Sequence, residues 1–574
     1  MKHKKNVVKK IIKDKWSIYI AIFVVGILIA IPMLNIQILD THDGKMHILR
    51  IIGLKNSMEK STFPFLIQPY YCRDFGYSMC SLYPQLVAYI PFLFAMIVNS
   101  FSLGLKIYAI LTIPLSGIFM YNFVKEVTNR KDISFLSAII YMTIWYRFED
   151  IFVRFAIGEF TAFVFLPIVF EGLYSIVNGD RKKHFYIAIG GTGLLLSHSI
   201  TTVYTMIFCI IYLLFNFRKV WNKETIKTCI INGVFILLMS SMFIIPLIEY
   251  KSQAQYAIFM PNVISTNGEY AQSMAIDIRQ LFSDNIYEST LSYNVGAVAV
   301  FMFAITVLAW RKIKKEYKDL YITFFIFACI CIDMCTKFFP WKIMPQFLCN
   351  IQYPWRMIGF VMFFLTPIFA INICTLLDKI KNEKVKYCIY AVCVIIIIAT
   401  ACVKTASYKY EDSQLDEKYV QSIKDNPQIS HFSLNRDYMP YKAIKKQYTY
   451  VDTRLDAIYV LKGNTVIENM NKDGLSMQAK ISNAKEGDIL ELPYFYYPGY
   501  KIELKAEENK IKINAKESEN GFVQITIPMD IEYGEIYFKY TGTIIEKMAY
   551  MISAISLVIF IVYVNREKHN AQKE

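Results

Sequence analysis

The chain has no Walker loop, no glycine-rich dinucleotide fingerprint and no paired-cysteine zinc site, so no motif in it points to nucleotide-driven chemistry or a zinc-supported fold. It has no internal repeat or low-complexity tract, and its composition excludes disorder, a collagenous fibre and a disulfide scaffold. Its seven histidines are scattered. The twelve cysteines lie mostly inside apolar segments, as small core residues do, and only Cys72, Cys80 and Cys349 fall in segments expected outside a membrane. The polar stretch 405–543 contains no cysteine, so no disulfide framework supports it.

What the chain has in abundance is apolar surface. Its 574 residues are 55% hydrophobic and 16% aromatic, with a mean hydropathy of +0.34. Length alone suggests about four soluble domains, but this composition is too oily for them. Apolar runs recur at 16–38, 103–124, 133–147, 159–178, 185–198, 200–217, 228–249, 294–310, 320–335, 356–377, 387–404 and 544–564. Runs of this length indicate a polytopic α-helical membrane protein. The strands of an outer-membrane barrel would alternate in polarity instead.

The net charge of +15 is placed as a membrane protein places it. Lys2, Lys4, Lys5, Lys9, Lys10, Lys13 and Lys15 precede the first apolar run, which reads as a retained anchor. Further basic gaps run from Lys125 to Lys131, Arg181 to Lys183, Arg218 to Lys227, Arg311 to Lys318 and Lys379 to Lys386, with Arg566 and Lys568 in the tail. No nucleic-acid partner is expected. All six gaps share the N-terminal side if Tyr83 to Phe101 does not cross, and Pro84 and Pro91 suit an interfacial or re-entrant helix there.

The expected fold is therefore about 12 crossings plus interfacial helices, multi-pass in the plasma membrane, with both termini cytoplasmic. Segments 39–102, 148–158, 250–293, 336–355 and 405–543 then face outside. Residues 1–404 form the transmembrane domain with its active-site loops, and 544–574 the last helix and cytoplasmic tail. Residues 405–543 alternate in the manner of strands, as in Tyr500-Lys-Ile-Glu-Leu and Glu535-Ile-Tyr-Phe-Lys-Tyr, and read as an extracytoplasmic antiparallel β-sandwich.

The first outside segment opens with Thr41-His-Asp-Gly-Lys-Met-His-Ile-Leu-Arg50. Asp43, His47 and Arg50 are spaced to share one helical face, which brings proton-handling groups next to a cation suited to phosphate. The competing reading is a solvated polar face just outside a helix. Further on stand Tyr83 in Leu82-Tyr-Pro, Arg154 and Glu159 in Arg154-Phe-Ala-Ile-Gly-Glu, His198 between two apolar runs, and Gln352 and Arg356 in Gln352-Tyr-Pro-Trp-Arg. Singly, Arg356 beside Trp355 reads as an interface anchor, His198 as a hairpin cap and Glu159 as a helix-start acid. Together they put acids, arginines and histidines at one outer-leaflet level.

In these pieces, with Phe63-Pro64, Phe75-Gly-Tyr, Asn435-Arg-Asp-Tyr-Met-Pro440 and Tyr496-Tyr-Pro-Gly-Tyr500, the chain resembles the bacterial YfhO-type membrane proteins. It also resembles the related membrane domain labelled "6-pyruvoyl-tetrahydropterin synthase-related", within the GT-C class of glycosyltransferases. The resemblance spans nearly the whole chain in order and departs at Gln85, where the family usually has a second proline or a small polar residue. The pterin label carries no weight, since a soluble pterin synthase needs a zinc-binding histidine cluster. The resemblance implies a GT-C-like fold with Asp43 as the catalytic acidic residue, a polyprenyl-phosphate-linked sugar donor and an envelope polymer or glycolipid acceptor amid membrane lipids. His47, Arg50, Tyr83, Arg154, Glu159, His198, Gln352 and Arg356 are the expected substrate-binding residues. No cofactor is expected, and no tight carboxylate pair demands a metal. The alternatives are a lipid or polymer transporter, for which Asp333 is the main charged candidate, and a non-catalytic envelope scaffold.

Overall fold

The computed structural model describes residues 15–60, 63–179, 183–260, 265–282, 309–408, 414–425, 436–445, 449–506 and 509–573, with 263, 294, 295, 303, 305 and 306 described singly. The lysines from Lys2 to Lys13, Arg181, Lys182, Asn435 and most of the 294–310 run lie outside the described residues.

Among the described residues, six helices are long and apolar enough to cross a membrane: Trp16–Asn35, Phe101–Thr128, Ile157–Val177, Pro354–Leu377, Glu383–Ser407 and Ile544–His569. Lys223–Met239 and Ser241–Gln253, bent by 67° at their junction, make a seventh if they form one broken span. The chain is a membrane protein. The expected twelve crossings are not all found among the described residues, and most of the 294–310 run lies outside them. Lys131–Met142, Tyr186–Leu195 and Ser199–Phe215 have 12, 10 and 17 residues. At 1.5 Å per residue, the first two reach roughly 15–18 Å and fall well short of a hydrocarbon core of about 30 Å.

Aromatic packing holds the helices together. Phe170 and Phe363 lie 5.0 Å apart between ring centroids, as do Phe324 and Phe364. These rings join Ile157–Val177 and Lys315–Cys335 to Met357–Leu377.

Tyr83 to Phe101 forms the short helix Leu86–Val98, only 13 residues long. Asn99 in the left-handed region ends it, and Ser100 caps the next helix by accepting from the Leu103 N–H. The two helices then fold against each other. A Cβ at Gly104 would stand 2.4 Å from the Ala95 nitrogen, so this contact needs glycine.

The later residues build two antiparallel sheets, ordered β1-β4-β8-β7 and β2-β3-β9-β5-β6. The strands are β1 Tyr459–Lys462, β2 Val466–Asp473, β3 Ser476–Ala484, β4 Ile489–Phe495, β5 Tyr500–Ala506, β6 Asn509–Ile513, β7 Lys516–Glu517, β8 Phe522–Thr526 and β9 Ile531–Tyr540. Between the sheets, Tyr494 stacks on Phe538 at 4.0 Å. Buried Arg454 bonds Glu491 at 3.2 Å, and Ser518 and Asn520 donate to the same carboxylate. The early loop is docked here: Phe75 packs on Phe522 at 5.1 Å, and its carbonyl accepts from the Phe495 N–H. Strand β9 leads directly into the last long helix, so the sandwich is held at both of its ends.

Candidate functional site

Asp43 immediately precedes the helix Gly44–Lys60, and its carbonyl accepts the His47 N–H. A second main-chain contact fixes it. The His42 and Asp43 N–H groups donate to the Val153 and Arg154 carbonyls at 3.1 and 2.9 Å. The acid and the arginine, more than a hundred residues apart in the chain, are thereby joined through the backbone.

His47 and Arg50 lie one turn apart on the helix and both are buried. The His47 Nδ1 is 2.9 Å from an Arg50 guanidinium nitrogen. Arginine only donates, so Nδ1 accepts and the imidazole carries its proton on Nε2. Burial, then the Arg50 charge, pushes His47 well below the usual histidine range. It is a neutral support for Arg50 rather than a proton donor. The guanidinium stacks on Tyr83 at 4.0 Å and donates to the Tyr438 hydroxyl at 3.5 Å.

The second wall comes from residues 145–159. The π-helical turn Glu149–Val153 ends where the Arg154 N–H bonds the Glu149 carbonyl, and Phe155 follows with a φ of 50°. Such turns cluster at functional sites. Arg154 bonds Asp150, and it reaches Glu159 at 3.0 Å and the Tyr146 hydroxyl at 3.4 Å. Glu159 also accepts from Tyr146 and lies 3.7 Å from Arg356.

Arg356 is positioned by its own loop. Gln352, with a φ of 64°, accepts from it at 3.2 Å, and the Ile351 carbonyl accepts at 2.8 Å. The indole of Trp355 lies under Arg154 at 4.7 Å. His198 shares a hydrogen bond with Thr201 at 2.7 Å. A Cβ on Gly158 would come within 2.9 Å of the Tyr83 hydroxyl and 3.2 Å of the His198 ring, so this glycine lets both residues approach Glu159. All nine residues singled out from the sequence thus lie in one connected region.

Asp43 retains exposed surface, yet its carboxyl is enclosed by protein. Enclosure raises it above the ordinary carboxylate value, against the lowering pull of Arg154, Arg356, His42 and Arg50. Asp437 lies near enough for the Asp43 charge to act on it. Burial, and then the Asp43 charge, raise its carboxyl also. Tyr438 beside it is held by the Tyr77 hydroxyl, which accepts its N–H, and by Tyr497, which donates to its carbonyl. Among the described residues, no group of three or more His, Cys, Asp or Glu side chains is placed to hold a metal ion.

Sequence reasoning missed the supports behind this site. Lys404 pairs with Glu149 at 3.3 Å, and Tyr408 donates to the same carboxylate at 3.0 Å. Asp416 accepts from the Ile38 and Leu39 N–H groups at 3.0 and 3.1 Å and from Ser102 at 2.8 Å, with Lys106 at 3.6 Å. The end of Glu383–Ser407 and the residues after it therefore hold both the Glu149–Val153 turn and the segment leading to Asp43. A lysine late in an apolar run was the available signal for Lys404. Asp416 sits in a polar segment and gave none.

No family model matches the chain. An uncharacterized protein of Lactococcus lactis subsp. cremoris (strain MG1363) is 23% identical over 597 residues, covering 96% of this chain and 95% of that one. Among solved structures, the chain is similar to the Archaeoglobus fulgidus oligosaccharyltransferase in its apo form, at 11% identity and a TM-score of 0.42, over 70% of this chain and 57% of that one. It is also similar to the arabinofuranosyltransferase AftD from Mycobacteria, at 11% identity and a TM-score of 0.41, over 76% of this chain and 28% of that one. The chain thus spans little more than half the length of the first and about a quarter of the second.

Proposed function

We propose that the chain is a membrane glycosyltransferase of the GT-C class that moves a sugar from a polyprenyl-phosphate donor to a cell-envelope acceptor at the extracytoplasmic face. The resemblance to YfhO-type proteins supports this reading. The observation that carries it is the position of Asp43, joined through the main chain to Arg154 and acted on by the charges of Arg154, Arg356 and Arg50.

In this reading the acceptor hydroxyl attacks the anomeric carbon as its proton passes to the Asp43 carboxylate. A new glycosidic bond forms, the bond from that carbon to the phosphate oxygen breaks, and its electron pair leaves with the lipid phosphate. The leaving group is already anionic and needs no general acid. Arginines placed where negative charge grows stabilise it, and their planar forks suit phosphate oxygens. Arg154 and Arg356 are tied to Glu159, so their positions are set before the substrate arrives. Buried His47 orients Arg50, and Tyr83 supplies the ring against which that guanidinium lies.

The test is transfer from a labelled polyprenyl-phosphate sugar in membranes containing the parent chain, the Asp43→Asn variant or the Glu159→Gln variant. Loss of transfer in Asp43→Asn supports the assignment of the base. Parental transfer in Asp43→Asn with loss in Glu159→Gln would move the base to Glu159. A parent that transfers sugar from no such donor would remove the enzyme reading.

A further inference from the structure

The five-stranded sheet turns one face toward its partner sheet and the other outward, and the registers show how the outward face is built. One row across the strands reads Asn469, Lys480, Glu535, Lys505, Lys510. The next reads Asn471, Gln478, Tyr537, Glu503, Lys512. A third, nearer the last helix, reads Asp473, Ser476, Lys539, Lys501. All six lysines in these rows are exposed.

This charge is poorly compensated within the chain. Lys501 lies directly opposite Lys539, and Lys505 directly opposite Lys510. Like charges directly opposite one another destabilise an antiparallel pair. Three acids stand among these six lysines, with Glu535 between Lys480 and Lys505 and Glu503 opposite Lys512. Glu503 pairs with Lys501 at 2.6 Å, Glu535 accepts from Tyr537 and Gln478, and Asp473 takes Lys60 at 2.8 Å and Tyr70 at 2.9 Å. Lys480, Lys505, Lys510, Lys512 and Lys539 make no ion pair with any described residue. A groove of about 510 Å³ runs over this face, lined among others by Gln478, Lys501, Lys510, Tyr537 and Lys539.

We propose that this groove binds an anionic glycan chain, a polymer of sugars carrying carboxylate or phosphate groups. Strands lie about 4.8 Å apart and same-face residues about 6.6 Å apart, so the lysines form a two-dimensional array that a repeating anion can bridge at several points. The amides of Asn471 and Gln478 and the hydroxyls of Ser476 and Tyr537 lie between the lysines and can bond sugar hydroxyls. This mixture fits a glycan better than a bilayer surface, which favours unbroken basic clusters with apolar side chains beside them. An anion bridging Lys501 to Lys539, or Lys505 to Lys510, removes a repulsion that the free domain carries. Binding at this face does not depend on the transferase reading, because it requires no reaction.

The test uses the full chain in nanodiscs of zwitterionic phosphatidylcholine, with soluble polygalacturonate as the probe, neutral dextran as the control and phosphatidylglycerol vesicles as a competing surface. At about 0.1 M salt, where exposed charges still act over about 10 Å, the parent should retain polygalacturonate and not dextran. The combined variant Lys501→Gln, Lys510→Gln, Lys539→Gln should bind polygalacturonate at least tenfold more weakly. A variant on the other sheet, Lys462→Gln with Lys516→Gln, should bind as the parent does. The thermal midpoint of the triple variant without polymer should equal or exceed the parent's, which separates lost binding from lost folding. Equal retention of dextran, or parental binding by the triple variant, would overturn the proposal. So would lysine-dependent binding of the vesicles without binding of polygalacturonate, which would assign the face to a membrane surface.

Discussion

The protein around the Asp43 carboxyl raises it above the ordinary carboxylate value, although three arginines pull it down. A general base works only when deprotonated, so transfer should fall on acidification through its raised value. The acid limb of the rate profile should therefore lie above the ordinary carboxylate range. Arg356 is among the charges that pull the value down. Arg356→Gln should move the acid limb to higher pH as well as slow the reaction, and a profile that keeps its limb in place would separate Arg356 from Asp43. Arg356→Lys should retain part of the rate, since the charge survives and the planar fork does not. A rate for Arg356→Lys no better than for Arg356→Gln would show that the fork, and not the charge, is what the site requires.

Between the helices and the sandwich, the docking of the early loop carries its own pH dependence. Burial pushes the Asp74 carboxyl up to about 6, and the neighbouring Lys472 ammonium opposes that rise. The folded form therefore binds this proton more tightly than the unfolded chain does. The resulting stabilisation is complete below the ordinary value of 3.8 and is lost as pH rises through about 6. The thermal midpoint should be higher near about pH 5 than near about pH 7.5, by a share worth about 1.4 kcal/mol, since only one pH unit separates pH 5 from the folded value of about 6. Asp74→Asn should shrink that difference, and an unchanged difference would assign it to other groups. Within the sandwich, Arg454→Ala leaves Glu491 buried without its cation and should cost roughly 3–5 kcal/mol, measured as a lowered unfolding midpoint.

These elements also show what a sequence can and cannot reveal. The strands were legible because alternation every second residue is a local property, as in Tyr500–Ala506. Asp43, Arg154, Glu159 and Arg356 were legible because charged residues stand out beside apolar runs. Glu149, Lys404 and Asp416 were not, because each takes its meaning from a partner 255 to 378 positions away. Phe75 is one aromatic among many until it is seen packed against Phe522. Apolar runs alone do not fix the number of crossings, for a related reason. Helices such as Lys131–Met142 are buried among other helices, and an apolar run does not show whether lipid or protein covers it.

At the scale of the whole chain, we propose that the sandwich and Asp43 lie on one side of the membrane and the basic loops on the other. The sandwich is tied to the early loop by Phe75 and to the last long helix through β9. In a variant lacking its native cysteines, a cysteine at Asn471 should react with an impermeant reagent applied from outside, and one at Asn382 should not. The reverse pattern would put Asp43 on the cytoplasmic side and remove its donor. The central claim is that the Asp43 carboxylate accepts the acceptor's proton during sugar transfer, and it is tested most directly by the rate of Asp43→Asn with a labelled polyprenyl-phosphate sugar. Asparagine keeps the shape and removes a charge that the surrounding protein disfavours, so the unfolding midpoint should not fall. Transfer should nevertheless fall at least about a hundredfold, or about 2.7 kcal/mol of barrier. Transfer by Asp43→Asn at the parental rate would contradict the claim.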